Sequence, residues 1–240
     1  MSLIVDTDGA VGWIRLNRPE KRNAIDAATR EELERSFAGF DSDPSIRVVI
    51  FTGEGTAFCA GVDLSDAAPV GPLEGKPLVA PLDNFSKPVI AAVNGPAVAG
   101  GFELALGADL RIASESATFA LPEVRLGSLP GSGGTQRLSG AVAAKLLFTG
   151  DPIDAHEAQR AGIVSDVVAT AELLPLAAKL AKRIAENAPL SLRAAKLALR
   201  AAPEGRELER TLWTFLATTD DRAEGRAAFR EKRPPEWTGR

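Results

Sequence analysis

One cysteine and one histidine occur in these 240 residues, and each scarcity removes a class of chemistry. Cys59 alone cannot close an intrachain disulfide. His156 alone leaves no basis for a histidine-rich metal centre and little for a Ser-His-Asp or Cys-His scheme, so no metal is expected. Cys59 follows Phe58 in an apolar stretch with no basic sequence neighbour, the setting of a small packing residue rather than of a nucleophile. His156, beside Glu157 in a helical stretch, reads as a surface residue. No apolar run reaches the roughly 18 residues that a membrane span needs, and the N-terminus lacks a basic stretch leading into a long apolar core. The expectation is a cytoplasmic protein with no membrane partner. A net charge of −4 and a pI near 5.3 argue against a general nucleic-acid partner.

The length suits one large α/β domain, or one domain with a helical appendage. Asp8-Gly9 between two apolar runs predicts an opening hairpin. Asp26 can cap a helix reaching about Phe40, because Thr29, Leu33, Phe37 and Phe40 recur at helical spacing. Buried strands are predicted over 47–52 and 89–93, each running into a glycine turn and then towards a helix, with shorter strands over 110–113 and 165–168. The stretch from Ser65 to Pro81, rich in proline and alanine, reads as a mobile loop. After about residue 170 the pattern becomes helical, which divides the chain into a mixed core over 1–170 and a helical region over 171–240.

Two acids stand out. Glu103 and Glu123 lie in V-A-G-G-F-E-L and A-L-P-E-V-R-L, among apolar and glycine residues, and carboxylates are seldom buried without a partner or a task. The bland alternatives are a first-turn acid complementing its helix dipole for Glu103, and a turn cap or an ion pair with Arg125 for Glu123. Gly100-Gly101 precede Glu103 where a strand should turn into a helix, so unpaired N–H groups and a positive dipole end belong there. A second glycine turn, F-C-A-G-V-D-L over 58–64, follows the preceding strand in the same topological position, and the two could form one anion-stabilising hole. Asp63 reads as fixing its own turn through an Asx hydrogen bond. Gly131-Ser132-Gly133-Gly134 looks superficially like a phosphate loop but lacks the terminal Gly-Lys-Ser/Thr, so nucleotide hydrolysis and dinucleotide binding are rejected.

Those segments, with K-P-V-I-A-A-V-N-G-P-A-V-A-G-G-F-E-L, L-P-E-V-R-L-G-S-L-P-G-S-G-G-T-Q-R-L, the opening R-P-E-K-R-N-A-I and the closing E-K-R-P-P, resemble the crotonase superfamily, most of all its enoyl-coenzyme A hydratases. The resemblance implies an α/β fold, a crotonase-like spiral of ββα units with C-terminal helices that build a homotrimer or a hexamer. The implied ligand is an acyl-CoA thioester, with coenzyme A entering as part of the substrate and no separate cofactor. It implies Glu103 and Glu123 as the catalytic pair, the N–H groups of Val62 and Gly100 as the oxyanion hole, and the Gly131 N–H as an aid to placing water. Lys21, Arg22, Ala24 and Ala60 would line the nucleotide end of coenzyme A, and Trp213, Phe229 and Lys232 would close that site, partly from a neighbouring subunit.

The expected reaction is reversible addition of water across the 2,3 double bond of a 2-enoyl thioester. Alternatives are a 3-enoyl to 2-enoyl isomerase, in which Glu123 alone shuttles the proton, and a non-catalytic acyl-CoA-binding protein. Three departures from the family pattern bear on the pocket. Val62 stands where a smaller residue is common, Ala99-Gly100-Gly101 where three glycines are often found, and a proline-rich run over 69–81 where a helical stretch often lines the acyl channel.

Overall fold

The chain crosses one sheet six times, and every crossing after the first hairpin is parallel. The computed structural model describes residues 1–65, 77–201 and 206–240. Strands β1 (Leu3–Asp8) and β2 (Val11–Leu16) form the expected antiparallel hairpin. Helix α1 (Ala27–Ser42) leads to β3 (Val48–Gly53), and one helical turn, α2 (Ala80–Asp83), precedes β4 (Val89–Val93). Then follow β5 (Ala97–Val98), α3 (Gly100–Gly107), β6 (Leu110–Ser114) and β7 (Thr118–Ala120). A 3₁₀ turn over Pro122–Leu126 leads to α4 (Gly134–Arg137), α5 (Gly140–Thr149), β8 (Ile153–Asp154), α6 (Ala155–Arg160) and β9 (Asp166–Val168). Four helices close the chain: α7 (Thr170–Ala185), α8 (Pro189–Arg200), α9 (Arg206–Leu216) and α10 (Asp220–Glu231).

The large sheet runs β1-β2-β3-β4-β6-β9, and β3 and β4 are buried at every position, as central parallel strands covered on both faces must be. One face carries the larger core, where Leu33 and Phe37 of α1 meet Phe51, Phe58 and Phe85. Phe37 stacks edge-on against both Phe51 and Phe85. The other face, with Val48, Ile50, Ile90 and Ile112, is covered by Leu173, Ala177 and Ala181 of α7. Asp26 caps α1 as its sequence position predicts, accepting the Thr29 N–H at 2.7 Å.

A second layer of short strands sits beyond the carboxyl ends of the large sheet. Ile25 bridges Val62, Cys59 bridges Ala97, and β5 pairs with β7, which pairs with β8. Each repeat therefore sends one long strand into the large sheet and one short strand into the second layer before its helix, which is the expected spiral. Two asparagines hold the layers together. Asn23 donates to the carbonyls of Glu54 and Ala57 at 2.9 and 2.8 Å, and Asn94 donates to those of Gly55 and Ala57. The short strands β5, β7 and β8 had no clear sequence signal, because two or three residues cannot display a period. Among the described residues, no helix is long and apolar enough to cross a membrane. Most of the loop expected over Ser65 to Pro81 lies outside the described residues.

Candidate active site

Two turns meet at the carboxyl ends of β3 and β4. The turn after β3 is threaded under the start of α3: a side chain at Gly101 would collide with the Cys59 carbonyl, so only glycine admits this approach. A methyl group at Gly100 would lie 3.8 Å from the Val62 nitrogen, and one at Gly61 would lie 3.3 Å from the Gly100 nitrogen. The N–H groups of Val62 and Gly100 are thus close neighbours, and Gly100, as first residue of α3, has no intrahelical acceptor. Ala99 just before it takes φ +51° and ψ −126°, a conformation natural to glycine, so the turn holds backbone strain at this point.

Glu103 sits on the buried first turn of α3, 3% exposed. Its Oε1 accepts the N–H groups of Ser132 at 2.6 Å and Gly134 at 2.9 Å. Glu103 is thus a first-turn acid of α3 whose carboxylate is turned to another loop. The two donors come from the Gly-Ser-Gly-Gly turn, whose role as a carboxylate cradle was not visible in the sequence. Gly131 itself is exposed, one residue before Ser132.

Glu123 opens the 3₁₀ turn after β7. Its Oε2 is buried without a hydrogen-bond partner among the described residues. Burial pushes its carboxyl above the ordinary range; hydrogen bonding to backbone partly opposes this, and the neighbouring charge of Glu103 adds to the rise. The two acids arrive from different elements, Glu103 from α3 and Glu123 from the turn after β7. Arg125 does not pair with Glu123. It turns instead to Asp151 and to the Thr149 carbonyl.

The remaining site residues fall into two groups. Lys21, Arg22, Ala24 and Ala60 share a rim beside Val62: the Ala60 N–H donates to the Arg22 carbonyl at 3.0 Å, and both lysine and arginine are exposed. Arg18, not singled out from the sequence, ties this rim to the turn after β3 through the Ala24 carbonyl at 2.6 Å, Asp63 at 3.1 Å and Asp26 at 3.0 Å. Asp63 also accepts from the Ser65 N–H and hydroxyl, the expected Asx turn, and these bonds hold its carboxyl below the ordinary range. Trp213, Phe229 and Lys232 lie apart on α9 and at the end of α10; the two aromatics are 65% and 85% exposed, so neither packs into the core of this chain. Among the described residues, no hydrogen bond or ion pair joins α9 or α10 to the rim. Cys59 is buried, and burial pushes its thiol up to about 12, which leaves it inert. His156 is exposed.

Comparison with known proteins places the chain in a family. The model of the enoyl-CoA hydratase/isomerase family matches residues 6–240, and the chain belongs to that family. It is 44% identical to 2,3-dehydroadipyl-CoA hydratase of Escherichia coli over 99% of each chain. It is also 44% identical to carnitinyl-CoA dehydratase of Proteus mirabilis, over 100% of this chain and 99% of the other. Among solved structures, an enoyl-CoA hydratase subunit from Geobacillus kaustophilus superposes with a TM-score of 0.92 at 41% identity, covering 100% of this chain and 99% of its own.

Proposed function

We propose that the protein adds water reversibly across the 2,3 double bond of a 2-enoyl-CoA thioester to give a 3-hydroxyacyl-CoA. The observation that carries this reading is a buried Glu103, cradled by two main-chain N–H groups on the helix that begins at Gly100, whose amide lies close to that of Val62. The N–H groups of Val62 and Gly100 would grip the thioester oxygen, draw electron density from the conjugated double bond and stabilise the enolate-like transition state. Glu103, addressed by two N–H donors on Oε1, has its other oxygen available to accept a proton from water as it attacks the β-carbon. Glu123, whose burial makes its carboxyl hold a proton more tightly than an ordinary one, would deliver a proton to the α-carbon. The hydroxyl of water ends on the β-carbon and its other proton on Glu103, the α-carbon takes the proton of Glu123, and proton exchange with solvent then resets the pair. Gly131 would help to position the water.

Lys21, Arg22, Ala24 and Ala60 would receive the nucleotide end of coenzyme A. Trp213, Phe229 and Lys232 would close that site in a homotrimer or hexamer, in which the open aromatics of α9 and α10 are covered. The three similar proteins named above are two hydratases and a dehydratase, one reaction type in two directions, and this supports hydration over a one-acid isomerisation. Loss of conjugated absorbance across a panel of short, long, branched and aromatic 2-enoyl thioesters tests reaction and substrate class together. A 3-enoyl thioester converted equally well by wild type and Glu103→Gln, with no hydration of any 2-enoyl substrate, would instead identify an isomerase.

A further inference from the structure

Glu103 is held by a turn that has little stiffness of its own. Three of the four residues from Gly131 to Gly134 are glycine, and Gly133 sits at φ +98°. What braces this turn is Arg137, one helical turn further on. Its Nη1 donates to the Ser132 carbonyl at 2.8 Å, and its Nη2 reaches Asp83 at the end of α2. The guanidinium lies where a side chain at residue 133 would collide with it. Both backbone polar groups of Ser132 are therefore held, its N–H on Glu103 and its carbonyl on Arg137, while its hydroxyl accepts the Leu78 N–H at 2.9 Å. Asp83 is itself fixed, because Arg200 of α8 donates to its carbonyl at 2.8 Å.

We infer that Arg137, anchored on Asp83, is a positioning residue for the reaction: it holds the Ser132 and Gly134 amides against Glu103 and so sets the place of the water-activating oxygen. This rests on Glu103 acting in hydration, as proposed above. A surface ion pair, here 28% and 38% exposed, contributes little to stability, so its value lies in geometry. A misplacement of about 1 Å at a reacting group can cost on the order of 100-fold in rate, and a fork donor is what a lysine cannot reproduce.

Steady-state hydration of a short 2-enoyl-CoA thioester by Arg137→Ala, Arg137→Lys and Asp83→Asn tests this, with thermal midpoints measured alongside. Arg137→Ala is expected to lose roughly 10- to 100-fold in kcat with KM within about twofold. Arg137→Lys should fall between it and wild type, Asp83→Asn should lose several-fold, and methylguanidinium should restore part of the Arg137→Ala loss. Adding Arg137→Ala to Glu103→Gln should cost little more, because both act on one group. Wild-type kcat in Arg137→Ala, or full additivity with Glu103→Gln, overturns the inference. Should Arg137→Ala fail to fold, wild-type kcat in both Arg137→Lys and Asp83→Asn does the same. Full activity in Glu103→Gln would instead defeat the hydratase reading, which keeps the two failures distinct.

Discussion

At the scale of single residues, Glu123 and Ala99 are under the greatest constraint. An ionised Glu123 has a buried oxygen with no partner, and its carboxyl is raised by that burial first and by Glu103 second. Because the folded chain holds this proton more tightly than the unfolded one, stability contributed by the neutral form is complete at acid pH and is lost as pH rises through the raised value. Glu123→Gln should therefore raise the thermal midpoint at neutral pH by roughly 1–3 °C, with the gain vanishing in acid, when melting is followed across pH. The same proton serves hydration, so the rate in wild type should fall on the alkaline side as Glu123 ionises. Ala99 in its glycine-like conformation costs about 1–3 kcal/mol, part of which Gly at that site would return to unfolded-chain entropy. Chemical denaturation should show Ala99→Gly more stable by about 1 kcal/mol.

At the scale of elements, the approach of α3 to the turn after β3 places the Val62 and Gly100 amides side by side. Gly101→Ala would drive its new methyl into the Cys59 carbonyl, and backbone cannot yield as a side-chain tip can. A loss of about 3 kcal/mol in denaturant unfolding is expected, with activity lost beyond the unfolded fraction. Elements with a full period were legible in sequence: β4 occupies its expected residues, and α1 carries its cap and its buried Thr29, Leu33, Phe37 and Phe40 as read. The short strands of the second layer were not, since pairing with distant turns, rather than local pattern, makes them strands. The acids were legible as charges out of place among apolar neighbours. The supports of Glu103 were not: Ser132, Gly134 and Arg137 act through main-chain atoms or across a long sequence separation, as between Arg137 and Asp83, and neither leaves a local signature.

At the scale of the whole molecule, α7 seals one face of the sheet, while α9 and α10 leave Trp213, Phe215 and Phe229 open. In the proposed trimer or hexamer these side chains would be covered. Sedimentation equilibrium should give a mass of three or six copies of the 25.2 kDa chain, and a monomer at micromolar concentration would count against the trimeric arrangement. The most direct test of the account as a whole is the rate of water addition to a short 2-enoyl-CoA thioester by wild type, Glu103→Gln and Glu123→Gln, with thioester binding measured in each. Turnover in wild type and a fall of roughly 10²- to 10⁴-fold in both variants, with binding retained, is the predicted result. Hydration at wild-type rate in either variant would contradict it.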